Sequence, residues 1–265
     1  TQVTIVVAAS APTLYYYCSI HSGMGGQVNT NSTLGSSNFD GTTQSTAKVN
    51  ATAGFSIVTY KGNGSSGNTV GHGLGVAPNL LLVKNRDYAD VWLVGSDQLG
   101  FTKQIYLNLA SASATSAEGW NNTAPTSSVF TLGNGNATNK NTDDHIAYVF
   151  SEVAGYSKFG SYTGNQNANG TFVFLGFRPA LVITKGNWGG NWNMYDNKRN
   201  SYNVANLTLY PNLGNAESTE SSSGNQMDLL SNGFKLRGSN NDTNHSAGFI
   251  YLAFAESPFR NARAR

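Results

Sequence analysis

Residues 54–86 read GFSIVTYKGNGSSGNTVGHGLGVAPNLLLVKNR, and most of that pattern returns about a hundred residues later. The return is YSKFGSYTGNQ at 156–166, followed by FLGFRPALVITKGN at 174–187. Tyr60-Lys61-Gly62-Asn63 answers Tyr162-Thr163-Gly164-Asn165, Leu74-Gly75 answers Leu175-Gly176, and Pro78 and Lys84 answer Pro179 and Lys185. Further along, Trp92 answers Trp192, and Tyr106-Leu107-Asn108-Leu109 answers Tyr210-Pro211-Asn212-Leu213. Phe130-Thr131-Leu132 answers Phe234-Lys235-Leu236, and the strand-like run 147–152 answers 251–256. Matched blocks in one order at one spacing indicate a domain-sized duplication, longer than a solenoid repeat. The expected units are 54–155 and 156–259.

Each unit reads as a string of short strands. Leu80-Leu81-Leu82-Val83 and Leu181-Val182-Ile183 have the continuous apolar character of strands buried on both faces. IAYVF and FIYLAF alternate as half-buried strands do. Gly, Asn and Ser separate the runs. Composition agrees: 30 Gly, 13 Tyr, 13 Phe and only 11% charged residues suit sheets with long loops better than helices. The expected fold is all-β, two tandem β-sandwich or jelly-roll-like domains. Residues 31–53, rich in Ser, Thr and Asn, read as a linker, and 260–265 as a basic tail.

The charge balance of +2 gives no electrostatic case for nucleic acid, and no apolar run approaches the roughly 18 residues of a membrane span. Neither nucleic acid nor membrane insertion is expected. The single Cys excludes an intrachain disulfide. The chain enters in what reads as mid-strand, at Val3, Ile5 and Val7, as a piece of a longer protein would.

Candidate chemistry is sparse. Gly71-His72-Gly73 reads as a turn and Asp143-Asp144-His145 as a solvated loop. Asp196, Lys198 and Arg199 form a charge cluster that reads as a surface ion pair, with a sugar or partner carboxylate as the alternative ligand. Glu152 and Glu256 hold matched strand ends, and no nucleophile elbow or phosphate loop is present. These features give no enzyme. Aromatic faces beside Asn and Asp suit sugars. Trp92 and Trp192, being matched, read as core, whereas Trp120 and Trp188, flanked by Gly and Asn, are the expected exposed contacts for a glycan or partner.

Two resemblances add to this reading. YYYCSIHSGMGG at 15–26 resembles the C-terminal ligand strand and loop of cupredoxins, with residues 1–30 as the end of such a unit. That resemblance implies copper as cofactor, held by Cys18, His21 and Met24; soft sulfur and imidazole suit that metal. A cupredoxin takes a second His from an earlier strand, so the alternative is a strand and loop kept for shape, with Cys18 a small buried hydrophobe.

The combination GFSIVTYKGNG, VGHGLGVAPNLLLVKNR, AYVFSEVAGYSKFGSYTGN, GFRPALVITK, YDNKRNSYN, DLLSNGFKLR and IYLAFAESPF, over about 54–259, resembles a tandem domain of uncharacterised function in virion proteins of marine tailed phages. It implies a virion structural protein at the particle surface, a tail fibre or capsid decoration that attaches to a host-surface glycan. It also implies other virion proteins as partners and a homo-oligomer, a trimer being the family-level expectation. The alternatives are a copper-binding module and a polysaccharide-degrading tail enzyme, the latter marked by a carboxylate pair in one cleft.

Overall fold

The computed structural model describes residues 14–17, 20, 25–28, 35–221 and 223–257. Cys18, His21 and Met24 lie outside the described residues, as does the basic tail. The described residues form an all-β sandwich in which every named strand pair is antiparallel.

The duplication is repeated in topology. The strands Leu93–Ser96, Leu80–Asn85, Asp144–Phe150 and Phe55–Lys61 lie side by side in that order. Their counterparts Trp192–Asp196, Pro179–Gly186, Gly248–Ala255 and Ser157–Thr163 lie in the same order. A smaller sheet covers one face of each. Asn68–Gly71 pairs with Val129–Leu132, and Phe172–Phe174 pairs with Gly233–Leu236.

Matched residues do matched work. The backbone N–H of Trp92 donates to Asn108 Oδ1 at 3.0 Å, and that of Trp192 to Asn212 Oδ1 at 2.9 Å. The buried Tyr60 hydroxyl donates to the Thr138 carbonyl at 2.6 Å, and the Tyr162 hydroxyl to the Thr243 carbonyl at 2.8 Å. Asn139 and Asn244 each donate to a glycine carbonyl, Gly133 and Gly238, at 2.8 Å. These bonds satisfy polar groups that would otherwise be buried unpaired, a cost of about 1–3 kcal/mol each. A short segment, NATN at 136–139 and NDTN at 241–244, is thus pinned beneath each sandwich in the same way.

Three apolar layers follow from strand alternation. Val58, Leu81, Val83, Phe130 and Val149 fill the first repeat, and Val182, Tyr195, Phe234, Phe249 and Tyr251 fill the second. The third layer joins them. Leu80, Val94 and Ile105 from the first main sheet pack against Phe159, Trp192, Ile250 and Leu252 from the second. Phe159 stands 5.8 Å from Phe150 and 5.9 Å from Phe254, ring centre to ring centre. The indole N–H of Trp192 crosses the junction to the Tyr106 carbonyl at 2.8 Å. Strands 80–85 and 179–186 therefore meet apolar neighbours on both faces, which is why both read as continuous apolar runs.

Three sequence expectations are corrected. Residues 35–53 are not a linker. Ser36–Asn38 and Ser45–Asn50 are strands that extend the first main sheet, with Ser45 opposite Tyr60 and Asn50 opposite Phe55. Backbone hydrogen bonds hold a strand of almost any polar composition, and the alternation of STAKVN buries only Ser45 and Ala47. Asp143-Asp144-His145 is not a solvated loop. Strand Asp144–Phe150 starts there, Asp144 pairs with Lys61 at 2.9 Å, and His145 is buried under the Tyr60 ring at 5.2 Å with the planes 10° apart. Trp120 is not exposed. It is wholly buried, edge-on to Phe101 at 5.9 Å.

The position equivalent to His145 is Phe249, which stacks on Tyr162 at 4.8 Å. Burial lowers the pKa of His145, and that of His72, below the ordinary value of about 6.5. The native state holds both neutral, so their contribution is present above pH 6.5 and is lost as pH falls below it. His145→Phe, copying the second repeat, is expected to keep the fold at pH 8 and to flatten the fall in stability as pH drops below about 6.5. Urea melts across that range check it. An unchanged slope would show that His145 is not the sensitive group.

Candidate functional site

The short helix Ala117–Trp120 is built by local chemistry. Ser116 caps it, its Oγ accepting from the Glu118 N–H at 3.2 Å. The strap 133–139 ties it down: Gly133 N–H donates to Gly119 O at 3.0 Å and Gly135 N–H to Glu118 O at 2.9 Å. A Cβ at Gly133 would stand 2.2 Å from the Ala117 and Glu118 carbonyl oxygens, so only glycine permits this approach. Helix, strap and the hairpin 86–92 enclose a cleft of about 220 Å³ in the first repeat. That is room for roughly seven waters at about 30 Å³ each.

The cleft has two characters. Val91, Leu93 and Ala137 give an apolar wall. Asp90, Gln104, Tyr106 and Glu118 give polar groups that are mostly acceptors, and among the described residues no Lys or Arg lines it. Gln104 is buried; its Nε2 donates to the Tyr106 hydroxyl at 2.9 Å, and its Oε1 has no partner. Glu118 is exposed, and Asp90 uses one oxygen to accept the Val91 N–H at 2.7 Å. Such a lining fits a ligand with one apolar face and several O–H or N–H donors.

The second repeat fills the same space. Asn191, Asn193 and Asp242 stand where the first repeat has Val91, Leu93 and Ala137. Asn191 Nδ2 donates to Asp242 Oδ2 and Asn193 Nδ2 to the Asp242 carbonyl, both at 3.1 Å. Asn212 Nδ2 donates to Asn191 Oδ1 at 2.9 Å. Lys185 is buried beside them, donates to the Gly190 carbonyl, and is brought down to about 8 by burial against the opposing charge of Asp242.

The remaining candidates separate clearly. Trp188 is 37% exposed and lies over the His245 ring at 4.6 Å. Trp120, its expected companion, is in the core. Trp92 stacks on Tyr148 at 6.1 Å and Trp192 is buried in the junction. Arg199 binds Asp196 at 2.6 Å and Glu217 at 2.8 Å, and donates to the Leu207 and Met194 carbonyls at 3.1 Å, so Asp196 and Arg199 are engaged within the fold. Glu256 pairs with Arg178 at 3.5 Å. His72 shapes a turn, its Nδ1 accepting from the Leu74 N–H at 3.2 Å. Among the described residues no group of His, Cys, Asp and Glu has the arrangement of a metal site, and no helix is long and apolar enough to cross a membrane.

Comparison with known families places the chain. The profile described as a domain of unknown function, DUF7483, matches residues 29–258. The chain belongs to the DUF7483 family. The matched span takes in both repeats and the strands at 36–50 together, so the DUF7483 unit is the fused pair rather than one repeat. No curated protein and no solved structure matches the chain.

Sequence reasoning missed Asp90, Gln104, Tyr106 and Glu118. A signal was present: pairing NATN with NDTN sets Ala137 against Asp242, the substitution that opens the cleft in one repeat and fills it in the other.

Proposed function

We propose that this DUF7483 chain is a non-catalytic structural and binding module of a phage virion appendage, a tail fibre or capsid decoration. It takes up a host-surface glycan in the cleft of its first repeat. The virion part of this reading rests on the resemblance of residues 54–259 to marine phage virion proteins. The binding part rests on one observation. The repeats share a fold, yet Asn191, Asn193 and Asp242 hydrogen-bond across the space in the second that is, in the first, a cleft with an apolar wall facing acceptors, the buried Gln104 Oε1 among them without a partner. A sugar ring presents that pair of faces, an apolar C–H side and a rim of hydroxyl donors. Fusion of the repeats through an apolar layer suits a stiff spacer that carries such a site. Trp188, at a hairpin tip, offers a further stacking surface.

A second reading has a specific observation behind it. Asp90 and Glu118 line one cleft, and a glycosidase needs two carboxylates there. Binding is favoured because Asp90 is committed to its own loop and Glu118 is open to water.

Glycan-array binding with the full chain tests the proposal. Glu118→Gln is expected to weaken the retained glycan about 10–100-fold, the worth of a charged hydrogen bond of about 1.5–3 kcal/mol. Ala137→Leu, which fills the cleft from its apolar wall, is expected to abolish retention. Binding that survives both substitutions would remove the cleft from the account. Release of reducing ends by the wild type, lost in Glu118→Gln, would establish the hydrolase instead. Immunogold labelling of intact particles tests the location; particles without label would end the virion reading.

A further inference from the structure

The repeats differ at their edges as well as at the cleft. In the first, residues 36–50 close the open side of both sheets. Ser45–Asn50 pairs along Phe55–Lys61. Just before it, Thr42 and Thr43 donate their N–H groups to the Thr69 carbonyl at 3.1 and 2.9 Å, and Gly41 and Thr43 bridge Val70. Asn38 packs where a Cβ on Gly71 would lie, at 2.5 Å. The last strand, Ser36–Asn38, is only three residues long, a common way of blunting an edge.

Among the described residues the second repeat has no such segment. Its main sheet ends at Ser157–Thr163 and its small sheet at Phe172–Phe174. Among the described residues only the two ends of strand 157–163 are engaged on the outer side, by a bridge from Val153 to Ser157 and by the Thr171 hydroxyl donating to the Thr163 carbonyl at 2.7 Å. Register equates Val173 with Val70, since each faces the matched Phe234 or Phe130. Phe172 and Phe174 therefore replace Thr69 and Gly71, the residues that receive the covering segment in the first repeat. They are 43% and 59% exposed. A polar arm like 36–50 does not fit over two phenylalanines, one of them standing where Gly71 makes room for Asn38. This side, which no described strand covers, suits a strand with an apolar flank.

We propose that the open side of the second repeat is a self-association surface. Ser157–Thr163 pairs with the same strand of a second copy, and Phe172 and Phe174 of both copies flank the seam. Antiparallel pairing centred on Gly160 sets Gly160 against Gly160, Phe159 against Ser161 and Lys158 against Tyr162. The one charged residue of the strand never meets itself, and its ammonium stands 5.7 Å from the Phe174 ring centre. An isologous two-fold contact closes after two copies, as most homo-oligomers do. The first repeat shows that an antiparallel strand is accepted at the equivalent edge. This inference does not depend on the virion or glycan reading.

Sedimentation velocity on the full chain, from low to high micromolar concentration, tests it. The wild type is expected to pass from monomer to dimer. Phe172→Asp with Phe174→Asp is expected to weaken that step by about 100-fold or more, two apolar anchors at over 1 kcal/mol each. Both side chains are exposed, and an unchanged melting temperature confirms that the variant folds. Hydrogen exchange is expected to slow in the dimer at the amides of 158–162 and 172–174. A chain that stays monomeric throughout, or a dimer whose protection falls elsewhere, would overturn the proposal.

Discussion

The apolar layer between the two main sheets is the contact on which the rest of the molecule depends. A sheet with one small companion sheet buries one face and leaves the other in water. Leu80, Val94 and Ile105 resolve that for the first repeat, and Phe159, Trp192, Ile250 and Leu252 for the second, each set serving as the other's second face. Full burial of one such side chain contributes about 1.5–3 kcal/mol, so the layer outweighs any single polar tie across the junction. The Trp192 to Tyr106 bond, the Ser113 N–H to the Asn187 carbonyl at 2.9 Å and Ser161 to Gln98 at 3.0 Å fix orientation within it.

Fusion leaves each copy of the duplicated unit free to drift where the layer does not constrain it. The core positions that hold Tyr60 and Tyr162 on their carbonyls stayed matched, because losing the hydroxyl's partner strands a buried polar group. The cleft and the outer edge did not stay matched. In one repeat Asn191, Asn193 and Asp242 complete a hydrogen-bonded plug, and in the other Val91, Leu93 and Ala137 leave space. One repeat has its edges covered by residues 36–50, and the other presents Phe172 and Phe174. Proposed binding and proposed assembly thus fall on different repeats, at the points where the copies diverge.

Sequence made the duplication legible because matched residues carry strong physical demands: an asparagine whose side chain holds a backbone N–H, a tyrosine whose buried hydroxyl needs a carbonyl, a Gly at 75 and 176 with φ of 76° and 82°. It made the β character legible through alternation and composition. The arm at 36–50 was opaque because its strands are held by backbone groups, which every residue has. Trp120 was misjudged from its Gly and Asn neighbours; Gly119 is there because a Cβ would stand 2.6 Å from Leu93, and Asn121 because the helix ends in a left-handed turn. The cleft was opaque because it arises from what Ala137 lacks relative to Asp242, a difference visible only once the short pinned segments are set against each other.

Native-state hydrogen exchange on wild type and Phe159→Ala tests the fused core most directly. Phe159 lies in the second repeat and touches the first only through the shared layer. The amides of Leu80–Asn85 and Pro179–Gly186 are expected to open with one common free energy, and Phe159→Ala to lower both by the same amount, about 3–5 kcal/mol. Loss of protection confined to the second repeat, with 80–85 unchanged, would contradict it and make the repeats two independent domains.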